Sequence, residues 1–310
     1  MNILYGGRRL TSKEAARVLG VSEASVKRWA DSGLLPMEKT AGGHRRFRPE
    51  DLAAVRRAGP QAGETQGRWK KGAAPARVVQ APALAPGREA ALAEETFRSL
   101  LEGRDEEIAA LLVNLHLDGH SVASLADGVL CAAMRRVGDL WHAGELSVAQ
   151  EHVATRTAVV AVQTLQASLQ VSAVEREELS ALCCAVEDDF HELPLRLAAL
   201  TLEACGLAVF NLGPSTPFSA LAEAVHRFRP ELVCVSATVL LRLDRAAYEY
   251  AGFHKAARRA GAAVVLGGAG FGAEGVRRRL PADLHAESFR QLEEFAATLV
   301  APGSDSIKGG

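Results

Sequence analysis

From residue 179 onward, apolar runs typical of buried strands alternate with stretches of helical period, and this alternation restricts the fold more than any other feature. The strand-like runs cover 179–186, 207–212, 232–236 and 262–266, with 282–287 as a candidate fifth strand. The helical stretches cover 193–205, 217–228, 244–260, 271–280 and 288–300. Such a pattern predicts a parallel sheet with helices on both faces. Ligands of these folds bind beyond the carboxyl ends of the strands. The loops there are 187–194, 213–217, 236–240 and 267–270.

Residues 89–171 have helical period throughout. Four segments are separated by glycines, at 89–102, 104–117, 121–143 and 147–171. Short connections between long helices predict an antiparallel four-helix bundle.

The junction of the third and fourth helices gathers polar and aromatic side chains. Gly144 ends one helix, and Ser147 with Gln150 forms a capping box at the start of the next. Trp141 and His142 then lie at one end of the bundle with Glu151 and His152, where they could line a ligand pocket. The alternative is that Trp141 is core, His142 caps its helix, and the other two are exposed.

The charge is distributed unevenly, although the chain of 310 residues has a net charge of only −1. Residues 1–58 carry a net +6, residues 59–88 a net +4, and residues 89–310 a net −11. A basic head on an acidic body indicates that nucleic acid binds the head only.

Composition indicates two or three domains with substantial cores, since 48% of the residues are hydrophobic. We find no apolar run long enough to span a membrane and no signal peptide. The five cysteines lack metal-ligand spacing and indicate buried free thiols in a reducing cytoplasm.

The basic head has the pattern of a winged helix-turn-helix. A helix at 10–19, capped by Thr11 or Ser12, is followed by a turn at Gly20 and a second helix from Ser22 to about 32. Residues 40–48 predict a hairpin wing, and a third helix starts at Pro49. The side chains expected to contact DNA are Ser25, Lys27, Arg28, His44, Arg45, Arg46 and Arg48.

Residues 8–57, and above all Gly42–Phe47, resemble the MerR family of transcription regulators. The resemblance implies binding as a dimer to a palindromic operator of double-stranded DNA. We therefore expect a DNA-binding domain at 1–58, a flexible linker at 59–88, a bundle at 89–175, a Rossmann-like domain at 176–301 and a disordered tail at 302–310.

The predicted sheet domain resembles the cobalamin-binding module of methionine synthase and its relatives. Its signature is Asp-x-His-x-x-Gly, then Ser-x-Leu or Ser-x-Thr, then Gly-Gly. The matching residues are Asp189, His191, Ser236, Thr238, Gly267 and Gly268. The bundle matches a Trp-x9-Glu-His motif with Trp141, Glu151 and His152. Together with the head, these motifs are similar to the CarH/LitR-type light-responsive repressors, which use adenosylcobalamin.

This resemblance implies a multidomain α and α/β protein with a winged helix, a four-helix bundle and a flavodoxin-like cobalamin-binding domain. His191 would be the lower axial cobalt ligand, with Asp189 orienting its other ring nitrogen. Trp141, Glu151 and His152 would cover the upper face, and His142 would bind cobalt after illumination. A tetramer in darkness, a monomer in light and release of the operator would follow.

One position departs from the signature, because Pro194 stands where its last glycine is expected. A proline is tolerated in the first turn of a helix. However, its ring occupies space where the family has no side chain, so cobalamin binding could be weakened or lost.

Each site residue also has an ordinary structural explanation. Asp189 with Glu192 could cap a helix, and His191 could be an ordinary surface histidine. Ser236, Thr238 and the glycine pair could be ordinary loop residues. A bilin or haem in place of cobalamin, or a cofactor-free regulator controlled by a protein partner, are the alternatives. An enzyme fits poorly, since we find no separate acid–base constellation.

Overall fold

The computed structural model describes residues 9–19, 26–27, 29–30, 35–40, 42–48, 52, 84–170 and 179–300. The chain divides into two compact units. One contains Met1–Ala83, Glu106–Ser121 and Gln163–Val174, and the other contains Leu84–Asp105, Val122–Val162 and Glu175–Gly310. Within the described ranges, every helix is too short or too polar to cross a bilayer.

The described part of the N-terminal head has the predicted helix and wing. Helix α1 (Ser12–Leu19) begins with a reciprocal capping box, in which the Thr11 N–H donates to Glu14 and the Glu14 N–H donates to Thr11 Oγ1. Strands β1 (Glu38–Lys39) and β2 (Arg45–Arg46) pair antiparallel. The core of the head consists of Ala15, Ala16, Val26, Ala30, Leu35, Phe47 and Leu52.

The next region is helical, as predicted. Its helices are α2 (Pro86–Leu101), α3 (Asp105–Leu117), α4 (Val122–Leu125), α5 (Cys131–His142) and α6 (Val148–Gln170). Helix α2 begins three residues earlier than the pattern indicated, at Pro86. A proline suits the first turn, because its φ is already helical and the N–H it lacks would have no partner inside the helix.

The helix predicted over 121–143 is continuously helical from Val122 to His142, but it is not α-helical throughout. Residues Ala126–Leu130 form a π-helical segment between α4 and α5. A π-segment accommodates one extra residue without ending the helix, so hydrophobic periodicity alone does not reveal it.

The sheet domain contains five parallel strands. They are β3 (Ser180–Val186), β4 (Ala208–Thr216), β5 (Leu232–Ser236), β6 (Ala263–Gly267) and β7 (Leu284–Ala286), in the spatial order β4-β3-β5-β6-β7. The helices are α7 (Glu192–Ala204), α8 (Phe218–Phe228), α9 (Leu243–Ala260), α10 (Glu274–Arg279) and α11 (Phe289–Val300). This is the flavodoxin-like order, whose ligand site lies where the strand order reverses. Here the reversal is between β3 and β5.

Two predicted boundaries in the sheet domain were wrong. Strand β4 continues to Thr216 through the predicted loop at 213–217. It is an edge strand, and an edge tolerates Pro214 because the missing N–H interrupts no ladder. The helix predicted over 271–280 is a 3-10 turn at Ala269–Phe271 followed by α10.

Both faces of the sheet are buried, as predicted. Alternate residues of β3 point to opposite sides, with Leu182 and Val186 in one core and Ala181 and Ala185 in the other. All five cysteines are free, but Cys131 and Cys205 are only partly buried, so the expectation that all are buried was wrong for these two.

Candidate functional site

Asp189 is the organising residue at the carboxyl edge of the sheet. It follows β3, and its side chain is only 1% exposed. One carboxylate oxygen, Oδ2, accepts hydrogen bonds from the backbone N–H of Thr238 at 2.5 Å and of Val239 at 3.4 Å, in the loop after β5. Asp189 therefore ties together the two strands between which the strand order reverses.

His191 is held by the other oxygen of the same carboxylate. Its backbone N–H is 3.0 Å and its ring Nδ1 is 2.6 Å from Asp189 Oδ1. The His191 side chain is 54% exposed, and the described part of the chain offers its Nε2 no hydrogen-bond partner. With Nδ1 protonated and donating to Asp189, Nε2 keeps its lone pair for a metal.

The alternative of a helix cap at Asp189 was wrong. The N-cap of α7 is His191, and no side chain caps this end of the helix. Pro194 lies inside the first turn of α7, so the helix accepts the departure from the signature as expected.

The acidic run beside His191 is paired with arginines. Glu187 accepts from Arg245 at 2.9 Å, and Asp188 lies 3.5 Å from Arg242. These pairs are partly exposed, so each contributes little to stability. Their effect is to neutralise charge next to the histidine.

The loop after β3 is also joined to the end of β4 by hydrogen bonds. The Asp188 N–H donates to Ser215 Oγ at 3.2 Å, and the Ser215 N–H donates to the Asp189 carbonyl at 3.0 Å. Asp188 and Ser215 both have positive φ. Their residue types carried no signal that singled them out in the sequence.

Gly267, the last residue of β6, and Gly268, which follows it, have different structural roles. Gly268 has a φ of +104°, and a Cβ there would overlap the carbonyl oxygen of Ala237. A Cβ at Gly267 would meet Ala286 only at ordinary contact distances of 3.6 and 3.7 Å. The backbone of the loops thus requires Gly268 whether or not a ligand is present. Gly270, which the sequence analysis missed, also packs against Ala237.

Ser236 is the last residue of β5, and Thr238 lies in the loop that follows it. Ser236 is buried at the end of β5, with Ala185 and Gly267 as its register partners on the neighbouring strands. Thr238 contributes its backbone N–H to Asp189.

Trp141, His142, Glu151 and His152 lie on either side of the short turn between α5 and α6. The turn has the predicted capping box, because the Ser147 N–H donates to Gln150 Oε1 at 2.9 Å and the Gln150 N–H donates to Ser147 Oγ at 3.3 Å. Helix α5 ends at His142, and Gly144 has positive φ, as predicted.

The alternative reading of this end of the bundle was only half right. Trp141 is 40% exposed rather than core, and its ring lies 4.8 Å from that of His142. His152 is exposed, whereas Glu151 accepts from Thr155 Oγ1 at 2.7 Å and lies 3.5 Å from His152 Nε2. Among the described residues, no hydrogen bond or ring contact joins Trp141 or His142 to His191.

Large apolar side chains are exposed next to the Asp189–His191 pair. Phe190 is 71% exposed, and Val239 and Leu241 in the loop after β5 are exposed as well. Exposed apolar groups near an imidazole suit a large flat ligand.

The described wing residues partly fit a DNA interface. Lys27 and His44 are exposed, and Arg45 and Arg46 lie on β2. Arg48 bonds to Glu38 at 2.7 Å, and Arg9 approaches the same carboxylate at 3.1 Å. The bond from Arg48 holds the pKa of Glu38 below its usual value. Ser25 and Arg28 lie outside the described residues.

Comparison with known proteins assigns the N-terminal head and the helical region to known domain families. A helix-turn-helix domain family model matches residues 9–59, and a B12 binding domain family model matches residues 92–166. The chain therefore combines a helix-turn-helix domain with a B12 binding domain, as a B12-binding transcription regulator does.

Two curated relatives from Myxococcus xanthus agree with this assignment. The HTH-type transcriptional repressor CarH is 26% identical over 72% of this chain and 76% of its own length. The HTH-type transcriptional repressor CarA is 27% identical over 84% of this chain and 87% of its own. Both are repressors rather than enzymes, in agreement with the sequence prediction.

A solved structure supports the fold of the chain. The monomethylamine corrinoid protein of Methanosarcina barkeri superposes with a TM-score of 0.57 at 18% identity, covering 68% of this chain and 99% of that one. At this identity, the likeness concerns the fold alone.

The residues of the sheet edge fit a cobalt corrin. A corrin fills four equatorial positions and leaves two axial ones, so it needs a single imidazole from one side. The described residues contain no cluster of three or more metal-ligating side chains. His191, whose Nδ1 is held by Asp189 and whose side chain is 54% exposed, could provide that one donor, and Phe190 has exposed apolar surface beside it.

Proposed function

We propose that this chain is a light-responsive, cytoplasmic transcriptional repressor that binds 5′-deoxyadenosylcobalamin. The observation that carries the proposal is the Asp189–His191 pair, with 2.6 Å between Nδ1 and Oδ1, at the reversal of strand order. The B12 binding and helix-turn-helix matches support the same combination of activities. The repressor sense of the regulation is taken from the names of the two relatives.

His191 would be the protein ligand of the cobalt. The backbone donors on Oδ2 keep the Asp189 carboxylate fixed, so that Oδ1 can orient the imidazole. A fixed donor loses less conformational entropy on binding than a free surface histidine. Gly267 and Gly268 would leave room for the nucleotide tail of cobalamin to approach the backbone.

Trp141, Glu151 and His152 would cover the upper face and exclude water. Trp141 offers apolar surface, and Glu151 offers a carboxylate already steadied by Thr155. His142 has an exposed imidazole on the last turn of α5, so it is available as a ligand after illumination. When bound, adenosylcobalamin supplies a cobalt–carbon bond that visible light breaks.

The DNA-binding head would give the output. Dimers of the head on a palindromic operator, joined into a tetramer in darkness, would bind tightly because phosphate contacts add up across copies. Separation into monomers in light would remove that gain and release the operator.

Dark incubation with adenosylcobalamin is expected to give a coloured protein that keeps the corrinoid through gel filtration. Green light should then change the absorption spectrum and delay elution to a smaller size. Retention without any light effect would leave a B12-binding regulator and remove the photoreceptor role. A protein that stays colourless would contradict the proposal, and parallel incubations with a bilin and with haem would then identify a different tetrapyrrole.

A His142→Ala variant is expected to bind adenosylcobalamin in darkness as the wild type does, since the proposal gives His142 no role in that state. After illumination its spectrum should differ from that of the wild type, because the second imidazole is missing. Absorption spectra before and after light measure both effects, with Glu145→Gln in the exposed turn as the matched control. Identical light-state spectra for His142→Ala and the wild type would remove this role from His142.

A further inference from the structure

Asp127, in the π-segment after α4, binds the start of the last helix of the sheet domain. Its Oδ1 accepts from the Phe289 N–H and its Oδ2 from the Arg290 N–H, both at 3.0 Å. The first N–H groups of a helix have no partner inside the helix, and a negative charge there is favourable. Both oxygens of one carboxylate are therefore used on α11.

Only part of the cap of α11 is local. The Gln291 N–H donates to Ser288 Oγ at 3.2 Å, and the Glu287 N–H donates to Gln291 Oε1 at 2.8 Å. The two N–H groups nearest the helix start are satisfied from the helical region, more than 160 positions earlier in the chain.

A second contact reaches the same place. Glu89 of α2 lies 3.9 Å from Arg290, and a Cβ on Gly128 would overlap the Glu89 side chain. Because Gly128 has no side chain, α2 can pack closely against the π-segment beside Asp127. The neighbouring residues Ala126, Val129 and Leu130 are buried.

The position of Asp127 in the chain gives this contact a consequence for the site. Helix α5 begins at Cys131, directly after the π-segment, and ends with Trp141 and His142. A helix of this length is stiff, so fixing its first turn places its last turn.

We propose that Asp127 is a positioning residue: by holding the start of α11, it anchors to the sheet domain the helix that presents Trp141 and His142. The anchor itself follows from contacts within the chain. Its effect on corrinoid rests on the proposed function.

Hydrogen exchange of the cofactor-free protein, followed by mass spectrometry, tests the anchor. In Asp127→Ala, peptides from α5 and from the start of α11 should both exchange about tenfold faster than in the wild type, because charged hydrogen bonds across the contact are lost. Asp127→Asn keeps one acceptor oxygen and should show a smaller effect in the same two regions, which guards against misfolding of the alanine variant.

Ser288→Ala is the matched control, since it removes a cap of the same helix without touching the π-segment. It should accelerate exchange in α11 alone. If Asp127→Ala also affects α11 alone, or neither region, the anchor does not exist.

The loaded protein gives the second readout. Adenosylcobalamin should leave Asp127→Asn about threefold faster than the wild type in darkness, because one of the two acceptors remains, and Ser288→Ala at about the wild-type rate. Equal release from Asp127→Asn and Ser288→Ala would overturn the positioning role. A wild type that retains no corrinoid would contradict the proposed function. The hydrogen-exchange experiment would still show whether Asp127 anchors α5 to the sheet domain.

Discussion

Replacing Asp189 with alanine is expected to destabilise the carboxyl edge of the sheet by about 3 kcal/mol and to abolish stable corrinoid binding. The substitution leaves the N–H groups of His191 and Thr238 without their acceptor in a place where the carboxylate was 1% exposed. A buried donor that loses its partner costs about 1–3 kcal/mol, more where the partner is charged. The His191 ring would also lose the bond that fixes its orientation.

The effect of Asp189→Ala should be measured by hydrogen exchange of peptides from β3 and β5. Tryptophan fluorescence would not serve, because the sheet domain from 179 onward contains no tryptophan. His191→Ala is the control. Its side chain is 54% exposed, so the sheet should keep its stability within about 0.5 kcal/mol, while the corrinoid spectrum loses the signature of a bound imidazole. Equal stability of both variants would mean that Asp189 does not brace the two loops.

The residue types of the site could be predicted from the sequence because its chemistry lies in side chains at fixed spacing. Asp189 and His191 are two positions apart on a loop, so one local turn brings them together. The parallel sheet then follows from the alternation of strands and helices, and its polarity places all the strand ends on one edge.

The support around that pair could not be predicted in the same way. The donors on Asp189 Oδ2 are backbone N–H groups, and every residue except proline has one, so Thr238 and Val239 carry no sequence signal for this role. The anchor at Asp127 joins positions far apart in the chain, and no local pattern encodes such a pairing.

The extent of β4 was missed for a different reason. Gly213 and Pro214 are turn residues in most contexts, and the sequence alone does not say which strand lies at the edge of the sheet. Once β4 is known to be the edge strand, Pro214 no longer argues against its continuation to Thr216.

Gly268→Ala is expected to lower the free energy of unfolding of the sheet domain by about 3–5 kcal/mol, an effect at least as large as that of Asp189→Ala. The residue has φ +104° and ψ 167°, a region that only glycine occupies without strain of about 1–3 kcal/mol. The added methyl group would also overlap the Ala237 carbonyl oxygen, which accepts the Gly270 N–H at 2.8 Å. Relieving the overlap would break that bond and move the loop that holds Asp189.

Gly267→Ala separates the structural role of this glycine pair from its role in binding. Its Cβ would make only ordinary contacts with Ala286. The free energy of unfolding measured in urea should therefore stay within about 1 kcal/mol of the wild-type value. If the pair also makes room for the nucleotide tail, Gly267→Ala should bind adenosylcobalamin more weakly in spite of its normal stability. Equilibrium dialysis in darkness measures that affinity. Wild-type affinity in Gly267→Ala, together with a strong loss of stability in Gly268→Ala, would show that the two glycines serve the backbone and that the tail lies elsewhere.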